Sequence, residues 1–315
     1  MINEKNTLRH KILNALYQAG GKTVSGARLS SDLKVSRVAV WKHINAFKKS
    51  GIDIESSPSG YYMLHPEDLI LPFCFKEDLQ NKIFHYHEID STMDKARQLA
   101  KEGAEHLSVV IAERQTKGRG RLNRNWVSSK GGLWFTIILK PQTPPPLAYI
   151  YNFAASLCLC LTLNKEFYIN TSVKWPNDLI LNGKKIAGLL SEMETRGDMI
   201  VFINIGIGIN VNNHPQIHAP KAIALKDVLK KQVSRKKLLE NLLDRLSGSL
   251  ENLDSSGIIE QWKKHTSTIG RHVRIETLGD TFEGIARDVD ESGALILEDG
   301  KGVQHNIIYG DCFHR

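Results

Sequence analysis

The spacing of apolar residues changes twice along the chain, and each change marks a different kind of structure. Leu8, Ile12, Leu13, Leu16 and Ala19 recur at the helical interval, and Gly20 and Gly21 end that run. Ser25 is placed to cap a second, short helix carrying Ala27, Leu29 and Leu33. After a tight turn at Lys34 and Val35, Ser36 caps a third helix with Val40, Ile44 and Phe47 as its buried stripe, ended by Gly51. Residues 52–64 alternate on either side of Pro58, Ser59 and Gly60, which is the pattern of a β-hairpin. Helix, short helix, turn, helix and hairpin in this order predict a winged helix-turn-helix over residues 1–66.

From about residue 69 to 269 the pattern switches to apolar strand-like runs interleaved with helices. Strands are expected at 108–112, 132–139, 185–190 and 200–209, and helices at 92–101, 149–163 and 235–252. Leu238, Leu239, Leu242, Leu243, Leu246 and Leu250 share one face of the last helix, a packing stripe. The mixed order predicts an α+β domain over 67–268, a mixed sheet covered by helices. From Gly270 the chain shortens into runs at 272–275, 281–286, 294–297 and 303–308, separated by turns such as Leu278-Gly279-Asp280 and Glu298-Asp299-Gly300. Short strands this close together predict a small β-barrel over 269–315.

Charge sharpens the first of these assignments. The 315 residues carry a net +8, yet residues 1–66 hold ten Lys/Arg against four Asp/Glu, so +6 resides there and +2 on the rest. A basic module on a near-neutral body points to nucleic acid, with a membrane surface as the weaker alternative. Arg37, Lys42 and His43 on the third helix are the candidate DNA contacts; the bland alternative is the solvated face of a small helical domain. The start, Met1 to Thr7, has no apolar leader, so a cytoplasmic protein is expected. The apolar run Leu147–Leu163 is short for a membrane span and contains Asn152, Ser156 and Thr162, which favours a buried helix. Cys74, Cys158, Cys160 and Cys312 have no zinc spacing and read as core thiols.

Two polar islands carry the candidate chemistry. The first is Gln115-Thr116-Lys117-Gly118-Arg119-Gly120-Arg121-Leu122-Asn123-Arg124-Asn125-Trp126; from Arg114 to Lys130 there are six Lys/Arg and no acid. Glycines permit φ > 0 and close approach to a ligand, guanidinium forks match phosphate or carboxylate oxygens, and Trp126 offers a flat face. Arg-Gly stretches also occur in flexible RNA-binding linkers, but this one lies between apolar strands, which favours a site loop. Neither a P-loop nor a helix-opening dinucleotide motif is present, so side chains would have to hold phosphate. The second island runs from Lys174-Trp175-Pro176-Asn177-Asp178 through the hairpin turn Asn182-Gly183 to Lys184-Lys185-Ile186-Ala187-Gly188. Ala187 and Gly188 leave room for a ligand, and a lysine beside a carboxylate that is being joined to phosphate would stabilise the developing charge.

Ile89-Asp90-Ser91-Thr92, Gln115 through Ser128, Lys174 to Asp178, Gly183 to Gly188 and Gly206-Ile207-Gly208-Ile209-Asn210 occur in the order found in biotin–protein ligases. With the winged helix in front, the whole chain resembles the bifunctional form, which is also a biotin operon repressor. The resemblance implies a class II synthetase-like central sheet, an SH3-like C-terminal barrel, and a two-step reaction. Biotin's carboxylate attacks the α-phosphorus of ATP to give biotinyl-5′-AMP and pyrophosphate; a lysine of a carboxylase's biotin carboxyl carrier domain then displaces AMP. By similarity Ser91, Thr92, Gln115, Gly120 and Gly188 would surround biotin. Arg119, Arg121 and Lys185 would meet the carboxylate and phosphate. Arg124, Trp126, Asn177 and Asn210 would face the nucleotide, and Asp178 would orient ATP or its Mg²⁺, whose ligands no motif fixes. A ligand-promoted homodimer on operator DNA is also implied, with no membrane involved.

Two positions depart from the family. Met93 stands where Asn is usual, which removes one polar contact near biotin, and Asn123 replaces the third loop glycine. Asparagine tolerates the left-handed conformation, so the turn is expected to persist there. Each ordered loop residue costs about 1–2 kcal/mol and a charge-assisted hydrogen bond returns about 1.5–3 kcal/mol, so the loop is expected to order over bound adenylate. The competing readings are a ligand-sensing transcription factor without ligase activity and a lipoate-type ligase.

Overall fold

The computed structural model describes residues 7–314. The opening segment Met1–Asn6, on which the absence of a leader was judged, lies outside the described residues, as do Arg315 and the side chain of Asn123.

The N-terminal pattern folds as its stripes require. Helices α1 (Leu8–Gln18), α2 (Gly26–Leu33) and α3 (Arg37–Lys49) are capped by Thr7, Ser25 and Ser36, whose hydroxyls accept from the backbone N–H three residues on. Lys34 ends α2 in the left-handed conformation and makes the turn into α3. Ile12, Leu13, Leu16, Leu29, Val40, Ile44 and Phe47 close the small core. The hairpin β1 (Ile54–Ser57) and β2 (Gly60–Met63) gains a third edge because Val24 and Tyr61 exchange backbone hydrogen bonds at 2.8 and 2.9 Å. A connector with α4 (Glu77–Gln80) leads onward, and Phe73 within it meets the rings of His10 and Tyr17 edge-on.

The central sheet has seven strands. In chain order they are β3 (Ile83–Ile89), β4 (Ser108–Gln115), β5 (Leu133–Leu139), β6 (Ser172–Lys174), β7 (Asp178–Leu181), β8 (Lys184–Arg196) and β9 (Met199–Ile209). Across the sheet the order is β3-β4-β5-β9-β8-β7-β6, with β3 and β4 parallel and every other pair antiparallel. One face is covered by α5 (Thr92–Lys101) through Ala96 and Ala100 on Val110, Ile138 and Phe202. The other carries α6 (Tyr149–Phe167), which packs on α8 (Arg235–Glu251) and α9 (Ser255–Lys264); α7 (Leu225–Leu229) precedes them. The segment Pro145–Phe167 is long and apolar enough to cross a membrane, but 67% of its most apolar window is buried inside the fold. The Trp262 ring lies tilted against Phe153, centroids 4.9 Å apart, and donates its indole N–H to Ser156. The apolar run is therefore a core helix, and it extends one turn beyond the expected end at Leu163.

The tail forms β10 (His272–Glu276), β11 (Thr281–Val289), β12 (Leu295–Asp299), β13 (Gln304–Ile307) and β14 (Asp311–His314), an antiparallel unit ordered β13-β12-β11-β10-β14. Val273, Ile275, Ala286, Val289, Leu295 and Leu297 fill it. Its last strand, which the sequence pattern does not announce, returns toward the central sheet. Trp175 locks the two together by donating its indole N–H to Gly293 O at 3.1 Å.

Candidate active site

Three glycines on neighbouring strands make the floor of a cavity of about 410 Å³. Gly188 of β8 lies directly opposite Gly208 of β9, and Leu190 opposite Gly206. The Trp126 indole lies against the first pair so closely that a Cβ on Gly208 would be 2.5 Å from its Nε1. Met93 occupies the space over Gly206 in the same way, its Sδ 2.7 Å from where a Cβ would sit. The Trp126 N–H is buried and has no hydrogen-bond partner among the described residues, so a donor remains available at the floor.

One end of the cavity is neutral and closely hydrogen-bonded. Gln115 Oε1 accepts from Thr92 N and Thr92 Oγ1 at 2.8 and 3.0 Å, and Gln115 Nε2 donates to Ser128 Oγ at 2.8 Å. Thr136 Oγ1 donates to Thr92 Oγ1 at 2.9 Å, and Ser91 and Thr92 are buried at the start of α5. Such a chain fixes side-chain orientation and presents donors and acceptors to a compact polar ring.

The other end is cationic, each cation held by an acid. Lys185 Nζ is 2.6 Å from Asp178 Oδ1 and 5.0 Å from the Trp126 ring centre. Arg121 donates to Asn177 Oδ1 at 3.3 Å and to Gly310 O at 2.8 Å, and it lies 3.9 Å from Asp311. Burial pulls the basicity of Arg121 down, while Asp311 and Asp178 push it back up. Arg124 pairs with Asp311, and Asn177 donates to Leu189 O. Asn210 lines the same end, buried, its Oδ1 accepting from Asn213 at 2.9 Å.

Every residue expected around biotin and nucleotide lines this one cavity. Arg119 is the outlier in orientation: its guanidinium is held 2.7 Å from Asp94 Oδ1 and 3.6 Å from Glu192, and not by the cluster around Arg121 and Lys185. The loop backbone also differs from expectation. Gly118 and Gly120 do not adopt positive φ, and the left-handed residue is Leu122 at φ 51°, one before Asn123. Gly118 is needed for space instead, since a Cβ there would meet Trp126 O at 2.4 Å and Ser128 Oγ at 2.7 Å.

Two walls were not foreseen. Asp311, Cys312 and Phe313 of β14 close the cationic end, and His218, Lys221 and Ala222 close another side. The latter segment is tied to β8 by Lys185 N donating to Lys221 O at 2.8 Å and Ile223 N donating to Lys185 O at 3.0 Å. The polar run Asn212-Asn213-His214-Pro215 after the Gly206–Asn210 motif was its only sequence signal. Among the described residues no group of three or more His, Cys, Asp or Glu could hold a metal ion. On α3, Arg37 and Lys42 are exposed on one side, whereas His43 is half-buried on the opposite flank with its ring 6.4 Å from that of Phe47.

Residues 86–210 match the Biotin/lipoate A/B protein ligase family, residues 268–315 the Biotin protein ligase C terminal domain, and residues 8–62 a helix-turn-helix domain. The bifunctional ligase/repressor BirA of Bacillus subtilis (strain 168) is 31% identical over 314 residues, 95% of this chain and 97% of the relative. The protein of the same name from Escherichia coli (strain K12) is 29% identical, covering 93% of each. Among solved structures, the biotin protein ligase from Aquifex aeolicus in complex with biotin and ATP superposes with a TM-score of 0.63 at 28% identity, covering 74% of this chain and 98% of that one.

Proposed function

Because the chain belongs to the biotin–protein ligase family, in the bifunctional form that joins ligase to repressor, we propose how its cavity divides the work. The protein is an ATP-dependent, AMP-forming biotin–protein ligase and a biotin-responsive repressor of biotin synthesis genes. Biotin and ATP are its substrates; its partners are a biotin carboxyl carrier domain and, through the helix-turn-helix, DNA.

The observation that carries the residue assignment is the polarity of the cavity, neutral and hydrogen-bonded at Gln115, cationic at Lys185. Ser91, Thr92 and Gln115 hold the ureido ring of biotin, with Gly120 and Gly188 beside it and Met93 giving a thioether surface over Gly206. The carboxylate then points toward Lys185 and Arg121. Attack on the α-phosphorus forms the acyl–phosphate bond and expels pyrophosphate, and negative charge gathers on oxygens that Lys185 and Arg121 face. Arg119 joins them when ligand draws it away from Asp94. Arg124 and Asn177 hold phosphate, while Trp126 and Asn210 contact the base and ribose. In the second step the carrier lysine, as free amine, attacks the acyl carbon and AMP leaves; Asp178 accepts the amine's proton or orients the phosphate. The acids nearest the phosphates, Asp178 and Asp311, are already paired with Lys185 and Arg124, and among the described residues no cluster of acids forms a metal cage; Mg²⁺ is expected to enter on ATP.

Closure of 115–126 over the adenylate shields it from water and favours a homodimer that binds operator DNA through Arg37 and Lys42. All four cysteines are free and buried, which agrees with the reducing cytoplasm as its location. Biotin-dependent ATP–pyrophosphate exchange tests the reading directly. Exchange with biotin above the lipoate control is expected; exchange with lipoate alone would overturn it, and no exchange with either would leave a sensor without ligase activity.

A further inference from the structure

Helix α3 buries Val40, Ile44 and Phe47, and the same helix leaves two large apolar side chains in solvent: Val38 is 60% exposed and Trp41 54%. At about 100° per residue, Arg37, Trp41, Val38 and Lys42 fall within an arc of about 140° that begins beside Ile44 and runs round to the side away from the buried stripe. His43 lies outside that arc. Trp41 is also set apart from the other indoles, since Trp126, Trp134, Trp175 and Trp262 are all packed in the ligase body. Among the described residues no ring or cation is stacked on it. A valine and an indole exposed on the outward face of the second helix in a helix-turn-helix have no role in holding the module together. Left in water, they oppose solubility.

We propose that Val38 and Trp41 form an apolar reading patch that packs on thymine 5-methyl groups in the major groove, flanked by Arg37 and Lys42 on phosphate or guanine. The occupant follows from charge and shape. The patch is bordered by cations within a module that carries +6, which suits a polyanion. In the major groove the thymine methyl is the one apolar feature that base edges present to a side chain. The inference rests on the DNA-binding reading of residues 8–62 and adds to it a base preference: adenine–thymine pairs at the positions facing Val38 and Trp41.

The test uses the full chain with biotin and ATP and the DNA segment it protects upstream of biotin synthesis genes. Each thymine in a protected half-site is replaced singly by deoxyuridine, which removes the methyl and keeps the Watson–Crick edge. At one or two adjacent positions the unaltered protein is expected to bind about fourfold more weakly per methyl lost. The same uracil duplexes are expected to cost Trp41→Ala and Val38→Ala nothing further at the position each side chain covers. This first arm does not depend on how the variants fold. A second reading comes from acrylamide quenching of tryptophan emission, because Trp41 supplies the exposed indole and operator DNA should shield it. Uniform tolerance of uracil across a footprint that is otherwise intact, or quenching unchanged by bound DNA, would overturn the thymine-reading patch while leaving DNA binding in place. Failure to protect any DNA would instead remove the DNA-binding reading on which the patch depends.

Discussion

Two sets of charged groups in this molecule use the same chemistry for opposite ends. Around Arg235, at the start of α8, every guanidinium nitrogen has a partner. Its Nε lies 3.0 Å from both Asp68 oxygens, its Nη1 is 2.7 Å from Glu113 and 3.2 Å from Gly132 O, and its Nη2 reaches Asp68 O. Its side chain is 6% exposed. Burial by itself would raise the Glu113 carboxyl, but the charge and hydrogen bond of Arg235, with the His85 ring 3.7 Å away, hold it well below the usual carboxylate range. In the ligand cavity, by contrast, Lys185 remains 35% exposed and has one carboxylate partner, and Arg119 is held at the mouth by acids that solvent also reaches. A cation whose three nitrogens are all engaged within the fold fixes structure, here tying the connector at Asp68 to the strand that leads into the loop at Gln115. A cation with donors to spare can exchange its carboxylate for a substrate's phosphate. Saturation, more than charge, separates the two roles.

Removing each cation in turn breaks that comparison most directly. Arg235→Ala takes the shared guanidinium from two largely buried acids, Asp68 and Glu113, and should destabilise the protein by about 3–5 kcal/mol, read from urea unfolding. Lys185→Ala should lower biotin-dependent pyrophosphate exchange by about 10²–10³-fold while costing less than about 1 kcal/mol in the same unfolding experiment. If Lys185→Ala lost stability as Arg235→Ala does, or kept normal exchange, the distinction between fixed and exchangeable cations would fail. Gly118→Ala probes the loop's hinge at smaller scale. The new Cβ would press on Trp126 O and Ser128 Oγ, a strain of about 1–3 kcal/mol that should raise KM for biotin about tenfold and alter kcat less. An unchanged KM would mean that the loop base does not position Gln115.

The contrast also explains what could be read in the sequence. Periodicity located α1, α3, α5 and the leucine stripe of α8, because each buries a continuous face on nearby elements. Asn182 and Gly183 announced their hairpin, and both have the positive φ that such a turn requires. The site loop was legible through its density of Arg and Gly. Arg235 was not, because Arg235-Lys236-Lys237 looks like a solvated helix start and its acids lie 167 and 122 residues away. Asp311 escaped for the same reason: β14 is four residues long, without alternation, and its place in the cavity is set by β10 alongside it. The loop's left-handed residue went to Leu122 rather than to Asn123, because the turn at Gly120 and Arg124, closed by a 2.7 Å backbone hydrogen bond, overrides residue preference.

His314 gives the smallest and most specific test, since it is a basic group kept neutral rather than paired. It sits on β14 three residues beyond Asp311, its Nε2 3.3 Å from Thr268 Oγ1. Burial, and then the like charges of Lys174 and Arg271, pull its imidazole down to about 4 from an ordinary value of 6.5. Above about pH 6.5 the ring is neutral in folded and unfolded chains alike, and the site carries no penalty. As pH falls from 6.5 toward 4, the unfolded chain takes up a proton that the folded chain refuses, so stability must fall through that window. Allowing for its partial exposure, the loss should be about 1–2 kcal/mol. His314→Gln, neutral at every pH, should remove that part of the decline when unfolding at about pH 7 and about pH 4.5 is compared. An undiminished decline in the variant would mean that β14 opens to solvent before its histidine charges. The wall that Asp311 supplies to the cavity would then be less firmly held than the cluster around Arg235.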